Sequence, residues 1–165
     1  MRRLLLSLTL FACLSATAGA QSPATTPPAT TNLSDFFSGV RSAIERNLGR
    51  PYVWGAAGLK SYDCSGFVWR VLYENGIMMK RTTARKFYLM LKPASKEEQN
   101  TFGTLIFFDD LKHMGIVDTP QAFYHAQVTG GTNRSPMNSF WKPKIYGYRR
   151  LPTPKYPRKL SGFEI

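Results

Sequence analysis

Apolar residues recur at helical spacing up to about residue 91, then gather after Gly103 into short β-prone runs. That change of texture limits the chain to helices first and strands later: an α+β domain, its helices packed on an antiparallel sheet. Ser34 to Leu48 predicts a first helix, with Ser34 as N-cap, Phe36, Phe37, Val40, Ile44 and Leu48 inward, and Gly49 and Pro51 ending it. A second helix is expected from about Cys64 to Asn75, stopped by Asn75-Gly76, and a shorter third from a Thr82-Thr83 cap to Leu91. Strands are expected at Leu105 to Phe108, Met114 to Val117, Ala122 to Ala126 and Ile145 to Arg149.

The 165 residues, 43% apolar, suffice for one domain with a core. Met1-Arg2-Arg3, the apolar run Leu4 to Leu14 and the small residues Ala18 and Ala20 describe a secretory signal peptide over residues 1–20. Cys13 weakly matches a lipoprotein cleavage site, but a thiol within the leader's apolar core is the preferred reading. Residues 21–32, rich in Pro, Thr and Ala, read as a flexible linker; 33–151 is the folded domain and 152–165 a basic, Pro-rich tail. No second apolar run is long enough to span a bilayer. Two Cys and two His exclude a disulfide scaffold and leave too few ligands for zinc, so no metal or cofactor is expected.

Without the leader, Cys64 is the single thiol. It opens the second helix, where the macrodipole and unpaired backbone N–H groups favour thiolate, the nucleophilic form. Gly66, lacking a side chain, lets that turn approach another element closely. His113 and His125 are the only histidines. With Asp118-Thr119-Pro120 as a hairpin loop, residue 117 pairs with 121 and His113 lies opposite His125 on one face of the sheet. One imidazole then takes the Cys64 proton and the other orients the first.

Tyr52-Val53-Trp54-Gly55, Asp63-Cys64-Ser65-Gly66-Phe67-Val68, Gly76-Ile77 and Lys80-Arg81-Thr82-Thr83 follow in order. Gly103 to Phe108, His113 to Val117, Tyr124-His125-Ala126 and Tyr146 to Arg150 continue the series. Together these blocks, over about residues 35–151, resemble the NlpC/P60 cell-wall peptidases. The resemblance implies a papain-like α+β fold with Cys64 as nucleophile, His113 as general base and His125 as the orienting third residue. It also implies that Tyr52 lies beside the nucleophile and that Asp63 and Ser65 help hold the stem-peptide substrate; helix capping is the alternative role for Asp63. Thr104 stands where relatives usually carry Asp, and Met78-Met79-Lys80-Arg81 replaces a more usual Leu-Pro-Arg.

The resemblance, with the expected leader, implies an exported cysteine peptidase, periplasmic or extracellular, acting on peptidoglycan stems or cross-links; such peptidases cut most often between γ-D-glutamate and the diamino acid. The alternatives are a non-hydrolytic wall-binding or regulatory protein, and a thiol amidase or acyltransferase on another substrate. The formal charge is +12, with seven Lys and Arg after Trp141. Export and the lack of a recognition motif argue against nucleic acid, leaving anionic envelope polymers or phospholipid headgroups as partners for that charge, or a solvated surface that keeps the protein soluble.

Overall fold

The computed structural model describes residues 33–154. The expected leader, Cys13, the linker and the last part of the basic tail lie outside the described residues. Helix α1 (Leu33–Arg46) is followed by α2 (Cys64–Glu74) and α3 (Ala84–Met90). Five strands come next: β1 (Leu105–Phe108), β2 (His113–Thr119), β3 (Ala122–Gln127), β4 (Gly131–Pro136) and β5 (Ile145–Arg149). They form one sheet in the order β4-β3-β2-β1-β5, with every neighbouring pair antiparallel. The α+β expectation holds. Ser34, expected as a cap, instead lies inside the first turn of α1.

Thr83 caps α3 by accepting from the Lys86 N–H, and Asn75 closes α2 as expected. The helices cover one sheet face, burying Val40, Ile44, Phe67, Val71 and Phe87 against Leu105, Phe107 and Met114. Complete burial of each such side chain contributes ~2 kcal/mol. On the other face Ile106, Phe108, Val117 and Phe123 pack under Met137, Trp141, Ile145 and Tyr148. With both faces covered, β1 is buried at all four positions, which explains its unbroken apolar run. None of the described helices is long and apolar enough to cross a membrane.

Two expectations need correction. Strand β4 is not visible in the sequence, because Gly-Thr-Asn-Arg-Ser-Pro shows no alternating apolar period. The β2–β3 register differs as well: Val117 faces Phe123 and Ile116 faces Tyr124, with an irregularity between Val117 and Thr119. Asp118 lies at that irregularity, in ion pairs with Arg41 at 3.2 Å and Arg134 at 2.8 Å, and the chain turns later than expected. The histidines are therefore diagonal rather than directly opposed. A slip of two residues keeps both on the same face.

Candidate active site

Asp63 starts α2. Its backbone is extended and its Oδ1 accepts the Gly66 N–H at 2.6 Å, so the capping role is real. The same carboxylate receives the Ser65 hydroxyl at 3.0 Å, the Gly55 N–H at 2.9 Å, and Arg81 Nη2 at 2.6 Å from each oxygen. These bonds tie the 55 loop, the helix start and the segment before α3 into one support beneath Cys64. Gly66 makes that support possible. A Cβ there would overlap the Ala56 carbonyl oxygen and lie 3.2 Å from the Ala57 Cα.

Cys64 is 6% exposed, and its Sγ donates to the Lys112 carbonyl at 3.8 Å. Burial, then the charge of Asp63, pushes its pKa up to about 11, against the opposing pull of the Met114 and Ser65 N–H groups and Arg81. The helix start alone would favour thiolate; desolvation outweighs it, so the resting sulfur is a neutral thiol. Tyr52 is half-buried beside it. Its phenol is raised by burial and then by the charges of Cys64 and Asp63.

A tight left-handed turn delivers the histidine. Asp109, Asp110 and Leu111 have φ of 49°, 52° and 68°, each disfavoured by ~1 kcal/mol for a side-chain-bearing residue. Burial of Leu111 and the Arg85 bond to the Asp110 carbonyl at 3.1 Å hold the turn. It leads directly into Lys112, whose carbonyl meets the thiol, and His113 at the head of β2. His113 Nε2 lies 2.7 Å from His125 Nδ1. Gly115, two residues along β2, lets β3 approach closely: a Cβ there would come 2.5 Å from the Tyr124 carbonyl oxygen and 3.3 Å from the His125 Cβ. His125 is fully buried, and its Nε2 lies 2.9 Å from Ser135 Oγ on β4. Trp141 stacks on the His113 ring at 5.4 Å and meets the His125 ring edge-on at 5.0 Å.

Burial lowers His113 to about 4 and, joined by the charge of His113, lowers His125 to about 3. Both rings are neutral at pH 7, as a proton acceptor requires. Below about 6.5 the unfolded chain takes up protons that these rings refuse, so stability falls as pH drops towards about 4. Above about 9 the unfolded chain loses a thiol proton that folded Cys64 keeps to about 11, so stability falls again. Urea midpoints against pH are expected to plateau between those limits; a midpoint that rises from pH 6.5 to pH 4 contradicts the acid limb.

Two hollows flank this line of residues. One of about 700 Å³ is bordered by Trp54, Cys64, Ser65, Arg81 and Thr83. The other, about 520 Å³, is bordered by Tyr52, Asp109, His113, Trp141 and Lys144, and Lys112 borders both. All six residues singled out in the sequence therefore gather here or directly behind. Sequence reasoning missed the Trp141 platform, the Arg81 clamp on Asp63, and Ser135. The adjacent aromatics Phe140-Trp141 were an available signal for the first. Arg81 Nε is buried without a partner among the described residues. No group of three or more His, Cys, Asp or Glu among them is placed to hold a metal ion.

The NlpC/P60 family model matches residues 49–150. The probable peptidoglycan endopeptidase LytE of Bacillus subtilis is 33% identical over 124 residues, covering 73% of this chain and 35% of LytE. The probable endopeptidase NlpC of Escherichia coli is 28% identical over 145 residues, covering 76% of this chain and 86% of that one. Among solved structures, an NLP/P60 family protein similar to lipoprotein from Staphylococcus aureus has a TM-score of 0.63 at 28% identity, over 76% of this chain and 45% of that one. The chain thus spans about a third of LytE and, at 21%, about a fifth of the probable endopeptidase p60 of Listeria seeligeri. With the fold, the ordered sequence blocks and these matches in agreement, the chain belongs to the NlpC/P60 family.

Proposed function

We propose that this protein is a cysteine hydrolase of peptidoglycan stem peptides, cutting between γ-D-glutamate and the diamino acid. The observation that carries the reading is the meeting of Cys64, at a capped helix start, with the segment 112–114 that bears His113, itself paired to His125 at 2.7 Å. With Nε2 engaged by His125, His113 uses Nδ1 for proton exchange. A neutral thiol and a neutral imidazole disfavour a standing ion pair. The proton therefore passes to His113 as sulfur bonds to the substrate carbonyl carbon.

Backbone N–H groups of the first turn of α2 hold the oxyanion. Collapse of the tetrahedral adduct breaks the C–N bond, His113 returns the proton to the leaving amine, and a thioester remains. Water, deprotonated by His113, attacks the thioester and releases the acid, and the proton returns to sulfur. Asp63 and Ser65 border the acyl side, and Tyr52 closes the other wall. The hollow beside His113 takes the amine-side residue, where Lys112 and Lys144 suit a carboxylate of the diamino acid. The protein acts after export with peptidoglycan as its partner, and the remaining basic surface assists approach to anionic envelope polymers or phospholipid headgroups.

The test is incubation of the protein, without its expected leader, with purified peptidoglycan and with defined stem peptides, followed by mass analysis. Addition of one water across the γ-glutamyl bond is the expected product. Binding without cleavage supports the non-hydrolytic alternative, and a product carrying a transferred acyl group supports the acyltransferase.

A further inference from the structure

The hydrogen bonds behind His125 decide where the protons on both imidazoles sit. Asn133 Nδ2, which can only donate, points at the Gly131 carbonyl at 3.0 Å. That fixes the amide, so Asn133 Oδ1 is the atom facing Ser135 Oγ at 3.0 Å, and the Ser135 hydroxyl donates to it. With its one proton committed, Ser135 Oγ is an acceptor towards His125 Nε2 at 2.9 Å. His125 in its neutral form therefore carries its proton on Nε2 and offers Nδ1 as an acceptor. His113 must then donate from Nε2 across the 2.7 Å contact, and its Nδ1 is bare.

We infer that Ser135 and Asn133 of β4 are positioning residues that set the tautomer of the His113–His125 pair and leave His113 Nδ1 free to accept the Cys64 proton. The backbone makes the device rigid. His125 and Asn133 are paired across β3 and β4, and two residues further along β4 Ser135 pairs with Phe123. His125, Ser135 and Asn133 are thus seated on one antiparallel ladder, with His113 on the neighbouring strand β2. Ser135 and His125 are buried, which keeps bulk water from offering the rings other partners. In the opposite arrangement Ser135 would donate to His125 Nε2, His125 would donate from Nδ1, and His113 Nδ1 would hold a proton. A base protonated at the working atom cannot take another, and a wrongly set tautomer in such a relay lowers turnover severely even where geometry is kept.

Rates in this test rest on the hydrolase reading above, whereas the tautomers can be read without it. In protein labelled with ¹⁵N-histidine, the expected result at pH 7 is both rings protonated at Nε2. Ser135→Ala, which removes the acceptor, is expected to mix the tautomers and to lower kcat on the stem peptide about 10- to 100-fold, with KM within about twofold. Ser135→Thr restores the hydroxyl and is expected to recover both the tautomer and most of kcat. Unchanged urea midpoints in both variants identify the effect as positioning rather than unfolding. Nδ1-protonated His113 in the parent protein overturns the inference, as does an active parent whose Ser135→Ala variant keeps full kcat. An inactive parent with the expected tautomers refutes the hydrolase reading and leaves the relay standing.

Discussion

Cys64→Ala is expected to abolish stem-peptide cleavage, with kcat falling ~10⁴-fold or more, while the protein stays folded. The large loss follows because no neighbour is placed to replace the sulfur. Ser65, the nearest hydroxyl in sequence, is committed to Asp63 at 3.0 Å and is itself buried. The small structural effect follows from what is removed. Cys64 packs as one modest side chain in the core between the helices and the sheet, and the Asp63 cap does not use it. Loss of the sulfur is expected to destabilise by about 1 kcal/mol. The measurement is single-turnover cleavage beside a urea titration. Cleavage by the variant at more than about one per cent of the parent rate removes Cys64 from the role of nucleophile.

Gly66→Ala should damage fold and activity together. The added methyl would overlap the Ala56 carbonyl oxygen and stand 3.0 Å from the carbonyl carbon, a clash with backbone rather than with a flexible side-chain end. Relief requires moving either the start of α2 or the 55–57 segment. Both routes strain bonds that end on Asp63: Gly66 N–H to Oδ1, Gly55 N–H to Oδ2, and the Asp63 N–H to the Ala56 carbonyl at 2.9 Å. Overpacking of this kind is expected to destabilise by ~3 kcal/mol. Because Cys64 lies two residues before the clash, kcat should fall even under conditions where the variant is folded. A variant with parent stability and parent activity would show that the 56 loop yields easily.

The parts of this architecture written in side-chain chemistry were legible in the sequence. Phe67, Val68, Val71 and Leu72 announced α2, Thr83 announced its neighbour's cap, and the lone thiol with two histidines announced the site. What could not be read was carried by backbone or by polar pairing. The turn at Asp109 to Leu111 has left-handed φ without one glycine to signal it. The β2–β3 register carries an irregularity between Val117 and Thr119 that no side-chain pattern in the sequence marks. Strand β4 lacked an apolar period, yet its polar residues Asn133 and Ser135 continue the line that begins at His113. The thiolate expectation failed for a different reason: a local dipole is visible in sequence, but the depth at which the sulfur is buried is not.

The protonation of Cys64 also bears on how long the protein endures between encounters with substrate. Peroxides and disulfides react with thiolate, and burial that pushes the Cys64 pKa up to about 11 keeps that form scarce at pH 7. Durability matters for this chain because Cys64 has no second thiol among the described residues with which a sulfenic acid could condense. A sulfenic acid there would lack an internal thiol to trap it before further oxidation. The burial that keeps Cys64 protonated is thus also its protection.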